Sequence, residues 1–164
     1  MKCRKAVPPQ DLNLILKIEE ESFNNFWTKK DFIQRLTTRG YHCWVVENRK
    51  KLIGYVVYKR HPSFIEILNL AIHPKYRLKG AGRTLVNKLK SKLRKGEIAK
   101  IVMLIRETNL DGHLFANKNG FIATSVERNC YIKTNEDGYN FTFRLEWLDD
   151  SESIKAISSN NKLN

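Results

Sequence analysis

"NLAIHPKYRLKGAGRTLVNKLKSKLRKG", residues Asn69 to Gly96, joins an apolar, strand-like run to a long amphipathic helix through a short linker holding two glycines. From Pro74 to Gly96 it carries nine Lys or Arg and no Asp or Glu. A helix start exposes unpaired N–H groups and partial positive charge, which sequences usually answer with Asp, Glu, Ser or Thr. Here Arg77, Lys79 and Arg83 stand at the entrance instead, where the helix dipole disfavours them. Gly80 and Gly82 add dihedrals closed to other residues and room for close backbone approach. Free amides, glycine and cations at one helix entrance make a phosphate site. The competing reading is a tight turn followed by a solvated face. Lys88, Lys90 and Lys92 fit that description, so the anion argument rests on residues 77–83.

Of two known phosphate motifs, one is absent and the other matches only weakly. A P-loop needs GxxxxGK[ST], which is absent. "GAGRTL" lacks the third glycine of a dinucleotide fingerprint, and "HPKYRLK" intervenes between strand and glycines.

Outward from this stretch, the elements alternate. Residues 10–23 place Leu12, Ile15, Leu16, Ile18 and Phe23 at helical spacing. Thr28, with Asp31 three residues on, caps a second helix running through Leu36. "YHCWVVEN", the turn-like "RKK" and "LIGYVVYKR" read as a hairpin, and "FIEILNLAI" is a third strand ended by His73-Pro74. In the basic helix Leu85, Val86, Leu89 and Leu93 share a face, and Gly96 is a stop. "AKIVMLIRE" is a strand, "NLDGHLFANKN" a short helix ending near Gly120, and "FIATSVER" and "YNFTFRLEW" are final strands. The order predicts an α/β domain with a mixed sheet.

A chain of 164 residues suits one domain with a sizeable core. With 41% hydrophobic and 29% charged residues it reads as globular, with no membrane span or signal-peptide core, and hence as cytoplasmic. The domain is expected over residues 1–148, with 149–164, rich in Ser, Asn and charge, as a disordered tail. Cys3, Cys43 and Cys130 form no CxxC pair, so neither a disulfide framework nor a metal site is expected. The net charge of +13 admits nucleic acid, ribosomes, a membrane surface or a polyanionic small molecule.

Arg77-Leu78-Lys79-Gly80-Ala81-Gly82 after an apolar strand resembles the [QR]xxGx[GA] motif of GNAT N-acetyltransferases. "RKAVPPQDLNLILKIEEESFNNFWTKKDF", "IGYVVYKR", "EILNLAIHP", "RETN" and "NGF…ERNCY" resemble, in order, its RimI-like branch, which acetylates protein N-termini. The resemblance covers roughly residues 3–146. It implies a GNAT fold: a twisted mixed sheet of six to seven strands, helices on both faces, and a splayed central strand pair. It also implies acetyl-CoA as cosubstrate. The backbone of Leu70, Ala71 and Ile72 would pair with the pantetheine arm. The amides of Leu78, Lys79, Gly80, Ala81, Gly82 and Arg83, beside Arg77, would hold the pyrophosphate. Asn109 would contact the cofactor or cap the following helix.

Transfer to an amine needs positioning, a base and a proton for the thiolate. RimI-like enzymes carry a Glu before "R-x-[ST]-N" and a Tyr in the next helix, but this chain has Leu104 and Ala116 there. Glu66, six residues before Ile72, stands where the histone-acetylating branch carries its base. It serves as base or as an exposed strand-start residue. Tyr131, in "RNCY", donates a proton or lines the acceptor groove, and Cys130 beside it is a weaker candidate acyl carrier. Glu19, Glu20 and Glu21 begin the acceptor loop or form an exposed helix face. The sequence therefore predicts an acetyltransferase acting on a protein N-terminal amine or a lysine. The alternatives are a non-catalytic acyl-CoA-binding module and, ranked last, a ribosome or nucleic-acid binder. No interleaved aromatics or known motif favour nucleic acid. The expected partners are acetyl-CoA and a protein or peptide amine, with ribosome association open and no membrane.

Overall fold

The computed structural model describes residues 1–147. Leu148 and the segment 149–164 expected as a tail lie outside the described residues. The chain runs β1 (Lys2–Lys5), α1 (Leu12–Glu20), α2 (Lys29–Thr37), β2 (Tyr41–Asn48), β3 (Lys51–Arg60), β4 (Phe64–Ile72), a 3₁₀ turn (Pro74–Tyr76), α3 (Ala81–Lys90), β5 (Lys100–Arg106), α4 (Leu110–Lys118), β6 (Ile122–Tyr131) and β7 (Glu136–Arg144), closing on a 3₁₀ turn (Leu145–Trp147). The sequence order of elements holds, with β1 added at the front. The basic helix stops at Lys90, ahead of Gly96.

Local chemistry accounts for several of these elements. Thr28 and Asp31 form a reciprocal capping box that starts α2. Arg49 and Lys50, both at positive φ, make the tight turn between β2 and β3. Asn109 caps α4 by accepting the Gly112 N–H at 2.9 Å.

One seven-stranded sheet has the order β1-β2-β3-β4-β5-β7-β6, antiparallel except for β4 against β5. Two apolar layers cover it. On one face Leu85, Val86 and Leu89 of α3 and Ala116 of α4 pack on Val56, Ile65, Ile101, Phe141 and Phe143. On the other, Leu12, Ile15 and Ile18 of α1 and Phe32 of α2 pack on Val45, Tyr55, Val57 and Ala71. Strand alternation assigns each residue to its layer, and the central strand β3, buried continuously from Leu52 to Tyr58, is the most enclosed.

The feature that positions the site is a bulge. β4 pairs with β3 through Ile67↔Tyr58 and Asn69↔Val57, leaving Leu68 without a partner. A bulge bends its strand. β4 meets β5 only from Phe64↔Lys100 to Ile67↔Met103, then parts from it, while β5 continues against β7 as far as Arg106.

Candidate active site

Among the described residues, the β4 edge facing β5 has no strand partner from Leu68 to Ile72. Backbone polar groups there need one. An extended, amide-bearing chain laid in the gap would supply it, as an added strand does at a sheet edge. Leu70, Ala71 and Ile72 lie on this free edge. Arg77, expected at the anion, bends back so that its Nε donates to the Ile72 carbonyl at 3.1 Å.

At the open end of the gap stands the α3 entrance. Leu78 (φ 59) and Gly80 (φ 86) are both left-handed. A Cβ on Gly80 would meet nothing within 4 Å, so its glycine answers a backbone need. No side chain caps α3 and no acid lies in its first turn. The first-turn amides of Ala81, Gly82 and Arg83 therefore remain open to an external acceptor. Leu78 is fully exposed, Lys79 Nζ donates to the Lys75 carbonyl, and Arg83 is exposed. This uncapped, cation-flanked helix start beside an unpaired strand edge fits a pyrophosphate carrying an amide-rich arm.

Gly82 has a packing reason beside the one expected. A Cβ there would lie 2.7 Å from Phe115 Cε2 of α4. Its smallness admits an aromatic ring rather than a ligand alone. The lysines further along α3 also correct the expectation of a solvated face. Lys88 and Lys92 lie over the Trp44 ring at 4.7 and 4.9 Å. Lys90 Nζ donates to the Asn119 carbonyl at 2.6 Å and sits 3.9 Å from the Phe143 ring centroid. Burial, aided by Arg83, pulls its pKa down to about 8.

On the opposite face, Glu66 and Val102 are level across β4 and β5, one step before the strands part. Glu66 Oε2 lies 2.8 Å from His61 Nε2, and its side chain is 38% exposed. The His61 ring stacks on Phe64 at 4.1 Å. His61 carried no signal in the sequence, because only the β3–β4 turn brings it to Glu66. Leu104 lies two residues along β5 from Val102, past the parting point, level with Asn140 and close to Gly138. Ala116 is 0% exposed in the core. Neither can carry a proton. Tyr131 lies beneath the Arg106 guanidinium, 3.8 Å from its ring centroid, and Arg106 also binds Thr134 and Glu136. Burial raises the Tyr131 phenol above its ordinary pKa, so it keeps its proton at neutral pH. Arg106 is four positions beyond the level of Glu66, roughly 13 Å along the strands. The two candidate proton carriers thus mark opposite ends of the parted segment.

The three glutamates of α1 divide. Glu20 and Glu21 are exposed, and Glu21 lies 3.5 Å from His73. Glu19 is only 1% exposed. It accepts the Trp27 N–H at 2.8 Å, Asn69 Nδ2 at 2.9 Å and the Tyr55 hydroxyl. Burial, with the Glu19 charge, pushes the Tyr55 phenol far up, so that it remains a donor. Glu19 is thus a brace between the α1–α2 loop and the β4 bulge, not an open carboxylate for a substrate. Burial pushes the Cys43 thiol up to about 12, which removes it as a nucleophile. His113 Nε2 lies 2.9 Å from the Arg106 carbonyl and its ring packs on Tyr139 and Phe141, a structural role.

Among the described residues no helix is long and apolar enough to cross a membrane. The family model described as "Acetyltransferase (GNAT) family" matches residues 12–121. A Bacillus subtilis (strain 168) protein, provisionally named a ribosomal protein bS18-alanine N-acetyltransferase, is 28% identical over 141 residues, covering 84% of this chain and 93% of that protein. The Escherichia coli (strain K12) ribosomal protein bS18-alanine N-acetyltransferase is 24% identical over 134 residues, covering 82% and 90%. The crystal structure of the Escherichia coli ribosomal-protein-S18-alanine N-acetyltransferase superposes with a TM-score of 0.75 at 20% identity, covering 88% of this chain and 94% of that one. That last likeness is one of fold.

Proposed function

Because the chain belongs to the GNAT acetyltransferase family, we propose that it moves the acetyl group of acetyl-CoA onto the N-terminal amine of a protein, with ribosomal proteins as the acceptor class. The relatives named for acetylating a ribosomal protein's terminal alanine support that acceptor. The observation that carries the reading is the parting of β4 from β5 at the Leu68 bulge, with the uncapped α3 entrance at its open end. The unpaired edge at Leu70, Ala71 and Ile72 holds the pantetheine arm. The amides from Leu78 to Arg83 hold the pyrophosphate, with Arg77 bracing the corner. Asn109 contacts the cofactor as well as capping α4.

In the transfer, the acceptor nitrogen bonds to the thioester carbonyl carbon and the C–S bond breaks. One proton must leave the amine and one must reach the departing sulfur. Glu66, partnered by His61, takes the first through intervening water, since it stands roughly 13 Å along the strands from the Tyr131 end and both groups cannot touch one reacting centre. Tyr131, protonated at neutral pH, supplies the second. Holding the two substrates in the parted segment contributes the larger share of the acceleration. Apolar Leu104 and buried Ala116 favour a second reading, an acyl-CoA-binding module without turnover.

Measuring CoA release with acetyl-CoA and alanine-terminated peptides separates the two. Turnover that falls about 100-fold in kcat on Glu66→Gln, with KM for acetyl-CoA held, supports the base assignment. Unchanged kcat in that variant would sink it. Thermal protection by acetyl-CoA without CoA release on any peptide would establish the binding module.

A further inference from the structure

At the far end of α3 from the cofactor cradle, four cations converge on one face of the sheet. They are Lys5 of β1, Arg60 at the end of β3, and Lys88 and Lys92 at and beyond the last turn of α3. They surround two aromatic residues of β2. Trp44 is level with Lys5, and His42 with Tyr58. The His42 and Tyr58 rings are 5.1 Å apart, and Lys59 reaches the Tyr41 ring at the neighbouring position. The charges acting on His42 come from Lys92, Lys5 and Arg60, and those on Lys92 from Lys88, Lys5 and Arg60. Burial first, then these cations, hold both groups below their ordinary pKa values.

None of the four pairs with a carboxylate among the described residues. Arg4, one residue before Lys5, is by contrast held by both Asp11 and Glu47. The fold therefore neutralises one cation of β1 and leaves its neighbour in a like-charged cluster that costs stability. The aromatic rings fix where those charges sit, since Lys88 and Lys92 both rest on the Trp44 indole. From Gly80 to Lys90 α3 is about 15 Å long, so this cluster is separate from the pyrophosphate cradle.

We infer that this face, formed by Lys5, Arg60, Lys88 and Lys92 around His42 and Trp44, binds the phosphate backbone of RNA. Three adjacent strands spread the charges over roughly 10 Å, enough to contact several consecutive phosphates, which is the electrostatic footprint of nucleic-acid binding. A protein partner would want a buried apolar anchor, but the Trp44 indole is roofed by the two lysines. RNA rather than DNA rests on the acceptor class proposed above, since a ribosomal protein is a substrate built to lie on RNA.

Fluorescence anisotropy of a labelled RNA hairpin with the full chain, between 50 and 200 mM salt, tests it. Four phosphate contacts predict a slope of log K against log salt of about −3. Lys88→Gln with Lys92→Gln should halve that slope and weaken binding at 50 mM salt by about tenfold or more. Lys17→Gln with Lys118→Gln removes the same charge from exposed positions elsewhere and should leave affinity within about twofold. Saturating acetyl-CoA should leave it unchanged. Equal weakening by the two double variants would reduce the effect to bulk charge and overturn the proposal. Displacement of RNA by acetyl-CoA would place it in the cradle and do the same. A DNA hairpin or a polyglutamate peptide binding as tightly as RNA would also overturn it, the second in favour of an acidic protein. CoA release from a peptide acceptor without RNA, retained by the Lys88/Lys92 variant, keeps failure of this surface distinct from failure of the acetyl-transfer reading.

Discussion

Glu19 offers the sharpest test of how the acceptor side is built. Its carboxylate is wholly buried and takes three donors: the Trp27 amide, the Asn69 side chain and the Tyr55 hydroxyl. Glu19→Ala strands all three. Each stranded buried donor costs about 1–3 kcal/mol. Water entering the space left by the side chain returns part of that, so a net loss of about 3–5 kcal/mol is expected. Glu19→Gln should behave differently. Its carbonyl can still accept from Trp27 and Asn69, and its NH₂ can donate to Tyr55, whose hydroxyl both donates and accepts. A loss of about 1 kcal/mol follows from exchanging charge-assisted bonds for neutral ones. Denaturant unfolding of the three proteins at neutral pH reads these numbers, with slopes compared to confirm one transition. Because Trp27 anchors the α1–α2 loop, Glu19→Ala should also raise KM for a peptide more than it lowers kcat. If Glu19→Ala lies within about 1 kcal/mol of the wild type, or Glu19→Gln is as damaging as Glu19→Ala, the three-donor brace is refuted.

Two further outcomes follow from single contacts. Gly82→Ala places a methyl 2.7 Å from Phe115 Cε2, so stability should fall by about 1–3 kcal/mol and Phe115→Leu should restore part of it in a double-mutant cycle by thermal unfolding. Lys90 has a pKa of about 8 folded against 10.5 for its ordinary value. Between those values the unfolded chain holds the proton and the folded chain has released it, so unfolding free energy rises with pH. Wild type should therefore gain on Lys90→Met as pH climbs from about 8 to about 10, measured by paired denaturation curves. A flat difference would mean that Lys90 keeps its ordinary proton affinity.

Much of the fold was legible because it is written locally. Alternation located the β2–β3 hairpin, Thr28 and Asp31 announced α2, and glycine followed by an acid-free run marked the uncapped start of α3. β1 escaped, since Lys2–Lys5 is too short and too polar to differ from coil without its partner strip Trp44–Glu47. The candidate site was half legible. Glu66 and Tyr131 could be named, but His61, five residues before Glu66, gave no spacing signal. The packing of Gly82 against Phe115 was not legible, because Phe115 comes to it from another helix.

Apart from β1, the order of elements, the turns and caps, and the acid-free start of α3 are local in origin, since each depends on neighbours within a few residues. Tertiary structure alone decided the rest. A single unpaired residue, Leu68, parts β4 from β5 and opens the cleft. Burial turned Glu19 from a surface charge into a brace. Sheet order laid Lys5, Trp44 and Arg60 side by side, and the packing of α3 brought Lys92 over them, creating the interleaved cations and aromatics that no linear window contains. The physical reason is common to all three: strand pairing and packing set the electrostatic and hydrogen-bonding environment of a group through residues distant along the chain, and periodicity carries no record of which distant residues those will be.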